Sequence, residues 1–280
     1  MIVIASDSTA SLTKQEARQL GAIYIPMTYS AGGVAYTESY AGSNGDFADL
    51  IAGEKDLHTS QPAIGAYERT FRTLRRAGFE VLCLTISSRL SGTYANAVRC
   101  AGDIPGVRVV DTRTTAIGLA FLIYEARRLI RDGYDLEQTA RAIEACRDQV
   151  KTVFSVEDMT PLRRSGRLGP VRQSVGTILN IRPLLTCRDG AVVACGAARG
   201  RVEQRRGIIQ AIPENANPIA VQYIRQKREA MALAAQIQEK CGTQATIRQL
   251  GPVLGIHLGV DVLGAMWFEP RPGEERRSMR

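Results

Sequence analysis

The sequence is poor in the residues from which most metal and redox sites are built. It has two histidines in 280 residues, His58 and His257, too few for a metal centre made of several imidazoles. Its six cysteines (Cys83, Cys100, Cys146, Cys187, Cys195 and Cys241) are scattered, with no CxxC pair. That spacing suits neither a zinc site nor a disulfide framework, and the thiols read as small buried apolar groups. No run approaches the ~18–20 uninterrupted apolar residues of a bilayer span. The opening MIVIASDSTA lacks the basic segment of a secretory signal, so a cytoplasmic protein is expected, with at most transient membrane contact. Phosphate-binding and nucleophile-elbow motifs are missing too: there is no GxxxxGK[ST], no GxGxxG after a strand and no GxSxG. Aromatic residues make up 6%, and the basic residues behind the net charge of +8 are dispersed, which argues against a nucleic-acid partner.

What remains is the composition of an ordinary globular protein, 45% hydrophobic and 23% charged, long enough for two domains. The first half alternates strand and helix. MIVIAS reads as a buried strand, and TKQE (Thr13–Glu16) as a capping box opening a helix that stops near Gly21. AIYIPMTYS reads as the next strand. After it come a Gly-rich loop, the short helix DFADLIAGEK and the loop HTSQPA, with Pro62 in the first turn of a helix to about Gly78. FEVLCLTIS and VRVVD are apolar on both faces, as in a parallel sheet covered by helices. Helices are expected from about Thr114 to Arg131 and, capped by Asp135 with Gln138, to about Val150.

From about residue 152 the pattern changes. KTVFSVED is a strand, and MTPLRRSGRLGPVRQSVGTILNIRPLL carries short helices. Asp189-Gly190 marks a hairpin between two strand-like runs. The remainder reads as helix, strand, helix and strand. The expectation is an N-terminal parallel-sheet α/β domain over 1–152 and a C-terminal α+β domain with a mixed or antiparallel sheet over 153–280, residues 271–280 forming a loose tail.

Four segments crowd small polar groups at strand ends or helix starts: SDST (6–9), HTSQP (58–62), SSRLSGTY (87–94) and DTRTT (111–115). In open α/β sheets, ligands bind beyond the carboxyl ends of the strands, where helix N-termini favour an anion. The plainer reading is that each hydroxyl caps a helix or closes a turn. Arg167 follows Gly166 in a basic turn that could meet an anion. ARGRVEQRR (198–206) places arginines at a helix start, where the dipole disfavours them unless something anionic lies nearby.

Taken in order, ASDSTA, TSQPAIGAYERTF, ISSRLSGTYANA, LRRSGRLGPVRQSVGTILNIRPLL with the following RDG, and GIHLG resemble the DegV family across residues 4 to about 260. The resemblance implies a two-domain bacterial protein that binds one long-chain fatty acid in a buried tunnel. It places the carboxylate near the domain junction, held by hydroxyls and a histidine, and calls for no cofactor or metal. It makes Thr59, Ser60, Ser91, the Gly92 amide, Arg167 and His257 ligand-binding residues. It also assigns Arg199 (or, with a shifted alignment, Arg201) and His257 to work with a separate ATP-binding kinase subunit that phosphorylates the carboxylate. The alternative is a passive carrier or sensor. A stand-alone enzyme using His257 is disfavoured by the missing phosphate loop. The chain departs from the family after His257, where Leu258, Val260 and Asp261 replace the usual Thr, Pro and Gly of H-T-G-P-G.

Overall fold

The computed structural model describes residues 1–102, 104–169 and 181–269. Strand β1 (Ile2–Asp7) leads to helix α1 (Lys14–Leu20), β2 (Ala22–Ile25), β3 (Thr28–Ala31) and β4 (Val34–Thr37). Helix α2 (Phe47–Gly53) precedes β5 (Leu57–Ser60) and α3 (Ile64–Arg76). Alternation then continues through β6 (Glu80–Thr85), α4 (Thr93–Ala101), β7 (Val107–Asp111), α5 (Ala116–Arg131) and α6 (Leu136–Cys146). The second half comprises β8 (Val150–Val156), α7 (Thr160–Ser165), β9 (Ile181–Arg188), β10 (Ala191–Arg199) and α8 (Gly200–Ala211). It closes with β11 (Ile219–Tyr223), α9 (Lys227–Cys241), β12 (Thr246–Gln249), α10 (Pro252–Leu258) and β13 (Val262–Phe268).

The expected class is borne out. Strands β2-β1-β6-β7 form a parallel sheet, and β10-β9-β8-β13-β11-β12 form a mixed sheet in which only β11 and β12 run parallel. Both predicted capping boxes are present, Thr13 with Glu16 and Asp135 with Gln138. The hairpin turn has both residues at positive φ, Asp189 at 49° and Gly190 at 80°, as a two-residue turn of this hand requires. The short helices expected beyond α7 fall largely on residues 170–180, and the tail 271–280 likewise lies outside the described residues.

One expectation is corrected. AIYIPMTYS is not a single strand: the chain breaks at Pro26, which has no N–H for a ladder, into β2 and β3. β3 joins β4 and β5 in a separate three-stranded antiparallel sheet, so the segment read as the loop HTSQP begins as strand. Its register sets Tyr29 opposite Thr59 and Thr28 opposite Ser60.

Period-two alternation sorts each large sheet into two faces. In the parallel sheet, Ala5, Val81, Cys83 and Val109 face Tyr67 and Phe71 of α3 and Ala97 of α4, while Ile4, Leu82, Leu84 and Val110 face the central core. In the mixed sheet, Val153, Val221, Leu263, Ala265 and Trp267 pack under α8 and α9. The inner face carries Thr152, Phe154, Gln222, Gly264 and Met266, which the register lines up across β8, β13 and β11. Helix α5 lies between the sheets, packing on β1 and β6 on one side and on β8 and β13 on the other. It is therefore buried almost all round from Ala116 to Ile123. Among the described residues no helix is long and apolar enough to cross a membrane.

Gly264 holds the centre of the inner face. A Cβ there would lie 2.8 Å from Phe154 Cα and 3.0 Å from the Val153 carbonyl oxygen, and backbone cannot swing aside. Gly264→Ala is expected to lower stability by about 1–3 kcal/mol through overpacking. Gly53→Ala, at a helical position whose added Cβ meets nothing within 4 Å, is the control and should leave the melting temperature within a degree or two. Equal melting temperatures for both variants in a thermal scan would show that β8 and β13 can part to admit a methyl group.

Candidate functional site

Where the inner face of the mixed sheet meets the start of α5, helix α10 and the segment after β6, a cavity of about 520 Å³ remains. Its walls are mainly apolar and include Met27, Ile86, Leu162, Val253, Leu254 and Met266. Ser60, Gln61, Gly92 and Arg167 also line it and are solvent-exposed, so they mark its mouth.

The mouth is assembled by short-range bonds between distant segments. Thr59, on β5, places its Oγ1 2.7 Å from Nε2 of His257 on α10. Pro252 starts α10, and the backbone N–H of Val253 donates to Glu38 Oε1 at 3.0 Å, which anchors the helix that carries His257. Ser91 sits beside Thr93 with their hydroxyls 2.8 Å apart, and its Oγ accepts from the Thr93 N–H at 3.3 Å. Gly92, the N-cap of α4, leaves the space that the Gln61 amide occupies, since a Cβ would collide with it. Gly166 ends α7 in the left-handed conformation (φ 68°), and Arg167 then donates from Nε to the Leu90 carbonyl at 3.3 Å and from Nη1 to that of Ser165.

Electrostatics at the mouth favour an anion. Burial, helped by the neighbouring Arg167 charge, pushes His257 down to about 4, so the ring is neutral at pH 7. Among the described residues its buried Nδ1 has no hydrogen-bond partner. With the proton on Nε2, His257 donates to Thr59 Oγ1, which frees the Thr59 hydroxyl hydrogen for a ligand oxygen. The cation close by is Arg167, tied to the Leu90 carbonyl and still exposed.

Thr59, Ser60, Ser91, Gly92, Arg167 and His257, the residues singled out by the family resemblance, all line this one cavity. Arg199 does not line it. It is exposed at the N-cap of α8, and its backbone N–H donates to Glu203 Oε2 at 2.8 Å. The anion expected beside the arginine cluster is protein: Glu229 of α9 pairs with Arg201 at 3.8 Å and with Arg205.

The SDST segment is a brace rather than part of the cavity wall. Asp7, fully buried, accepts from the N–H and hydroxyl of Thr9 and from the N–H of Ile86, while Ser8 donates to Glu38 at 2.6 Å and accepts from the Met27 N–H. In the segment after β6, Ser87 donates to the Gly190 carbonyl at 2.7 Å and Ser88 bonds to Asp111, so these two serve the turn. His58 points away from Thr59, exposed and 2.9 Å from Asp56. Sequence reasoning missed Gln222 and Glu38. Gln222 carried a signal, as the one polar residue in the strand IAVQY; Glu38 carried none.

The α/β frame thus encloses an apolar cavity with hydroxyls, a neutral imidazole and an arginine at its mouth, an arrangement whose chemistry suits an amphipathic small molecule. Comparison with known proteins agrees with this fold. The DegV family model, described as "Uncharacterised protein, DegV family", matches residues 1–270, and the chain belongs to that family. A DegV domain-containing protein of Halalkalibacterium halodurans is 31% identical over 277 residues, covering 95% of this chain and 98% of its own. A DegV family protein from Thermus thermophilus described as binding fatty acid superposes with a TM-score of 0.86 at 28% identity, over 96% of this chain and 99% of that one. A stearic acid-binding protein from Eubacterium ventriosum, 23% identical, shares the fold with a TM-score of 0.87 over 96% and 98% of the two chains.

The depressed His257 has a measurable consequence. Its folded pKa lies below the ordinary imidazole value, so the stability it contributes is full above about 6.5 and lost as pH falls through about 4. In an NMR titration the His257 ring should titrate near 4, and Arg167→Gln should move the midpoint upward. A wild-type midpoint at 6 or above would mean that the ring is hydrated.

Proposed function

We propose that the chain binds one long-chain fatty acid in this cavity, with the carboxylate at the mouth and the acyl chain along the apolar walls. The observation that carries this reading is the separation of roles. Hydroxyl, imidazole and guanidinium groups gather at the exposed end, and the walls behind are chiefly aliphatic. Each buried methylene contributes about 0.8 kcal/mol, so a long chain supplies most of the affinity. Leaving water costs a carboxylate heavily unless donors replace the lost hydration. Thr59, Ser91, the Gly92 N–H at the start of α4 and the nearby Arg167 offer that replacement, with Ser60 beside them. Family membership and the fatty-acid-binding description of the Thermus relative support the same ligand class.

Binding would prepare the carboxylate for phosphorylation. Held by hydroxyls and a neutral ring, it keeps its nucleophilicity, and the chain has no phosphate loop of its own. A separate cytoplasmic ATP-binding subunit would supply ATP; the carboxylate oxygen would attack the γ-phosphorus, the bond to the β,γ-bridging oxygen would break, and acyl-phosphate and ADP would result. His257 would stay against the head group. Arg199, exposed and off the cavity, suits contact with a docked partner rather than with the bound lipid. We assign residues 1–152 and 153–280 to the two units that close on the ligand.

Native mass spectrometry of the protein purified from a bacterial host should show a bound C14–C18 fatty acid, with Ser91→Ala retaining less of it. A protein that carries none and ignores added fatty acid refutes the binding reading. If the loaded protein binds normally but yields no acyl-phosphate with a fatty acid kinase ATP-binding subunit and ATP, it is a passive carrier or sensor.

A further inference from the structure

A second cavity, of about 340 Å³, lies against the first. Thr59, Arg167 and His257 line both, so the bond between Thr59 Oγ1 and His257 Nε2 belongs to their common boundary. The chemistry of the second space is different. Lys55, Asp56, His58, Arg164 and Ser165 line it, and Lys55 and Arg164 take no part in the walls of the first cavity.

Three cations therefore surround one space, and none is neutralised by the protein. Among the described residues Lys55, Arg164 and Arg167 form no ion pair. Arg164, in the last turn of α7, donates from Nη1 to the Lys55 carbonyl at 3.5 Å, which places its guanidinium beside the chain entering β5. Arg167, beyond the left-handed Gly166, donates to the carbonyls of Leu90 and Ser165. These bonds go to carbonyl oxygens, which carry no charge, and they leave most of the two guanidiniums' N–H groups free. The one carboxylate in the lining, Asp56, is engaged by His58 at 2.9 Å. A net positive charge is left facing the cavity, and a bound anion would relieve the repulsion among its sources. Two guanidinium forks and an ammonium call for more oxygens and more charge than a carboxylate has. A phosphate group, with three or more acceptor oxygens and nearly two charges at pH 7, meets that demand.

We propose that the second cavity is a binding site for a phosphate group, held by Lys55 and Arg164, with Arg167 shared between it and the mouth of the first cavity. The group can come from free phosphate or from the glycerophosphate headgroup of a lipid, since both present the same oxygens. The site stands independently of the fatty-acid reading.

The test is calorimetry on the full-length protein stripped of lipid, at pH 7 and constant ionic strength. It is titrated with potassium phosphate, with glycerol 3-phosphate and, as the control, with potassium chloride. At least one of the two phosphates should bind saturably. Lys55→Gln combined with Arg164→Gln, both at exposed positions, should weaken that binding about fivefold or more. Tighter binding of glycerol 3-phosphate supports the site as a headgroup pocket, and tighter binding of phosphate supports it as a pocket for the free anion. In NMR at the same pH, the His257 ring signals should shift along the same saturation curve. The indole of Trp267, packed with Ile208 and Leu233 on the other face of the mixed sheet, should stay in place. If neither phosphate binds more than chloride does, the proposal is overturned. Saturable binding that the double variant keeps, or that leaves the His257 ring unmoved, overturns it equally, because the anion would then sit elsewhere.

Discussion

Helix α5 has to be dry on nearly every side. The sequence AIGLAFLI can satisfy that demand only by lying between two sheets, and in this fold it does so, on β1 and β6 on one side and β8 and β13 on the other. A surface helix buries one stripe of side chains; this one buries almost its whole circumference, and the two sheets are fixed relative to each other as a result. Gly118 shows how close the approach is, since a Cβ there would meet Thr114, Met266 and Val150, each within 2.8 Å. The two halves of the chain therefore share one central core, from Ile4 through Leu119 to Val262 and Met266.

The cavity is where that packing stops. Ahead of the first turn of α5 part of the inner face of the mixed sheet is left uncovered by the helix, and Phe154, Gly264 and Met266 form the wall there. Elements from far along the sequence close the gap at its mouth. β5 brings Thr59, α10 brings His257 and the turn after α7 brings Arg167. The bonds that join them are few and polar: Thr59 to His257, Arg167 to the Leu90 carbonyl, and behind them Ser87 to the Gly190 carbonyl. Each such bond typically contributes only about 0.5–1.5 kcal/mol net, far less than the apolar contacts of the core. The region around the ligand site is thus held by weaker links than the frame that carries it.

Much of this was legible in the sequence where the determinant is local. Thr13 with Glu16 and Asp135 with Gln138 cap helices through bonds between residues three apart, and Asp189-Gly190 turns a hairpin through its own backbone preference. The strands FEVLCLT and VRVVD, with apolar residues on both faces, announced a covered parallel sheet. The ordered motifs carried a family resemblance, and it was the resemblance that singled out Thr59, Ser91, Arg167 and His257, which line one cavity. What escaped depended on partners distant in the chain. The sheet of β3, β4 and β5 has four-residue strands, too short to show a period, and Pro26 hid the break before it. The four hydroxyl-rich segments looked alike, yet SDST is bound up with Glu38 and Ile86, while Ser91 and Thr59 reach the cavity. Arg201 and Arg205 looked like cations awaiting a ligand until Glu229, more than twenty residues on, supplied the charge.

Glu38 connects the SDST brace to the head-group end of the cavity. Its carboxyl joins Ser8 to the first turn of the helix carrying His257, and burial pushes it up to about 7 despite two hydrogen bonds that favour the charged form. Between the ordinary carboxylate value and about 7, the unfolded chain has released a proton that the folded chain still holds. Within that window each unit of rising pH withdraws up to about 1.4 kcal/mol of folding stability through this one group. His257 works in the opposite sense, its contribution growing as pH rises from about 4 to 6.5. The two groups act at opposite ends of one short helix with opposing proton linkages that partly cancel, which flattens the pH profile of the segment that frames the ligand's head group.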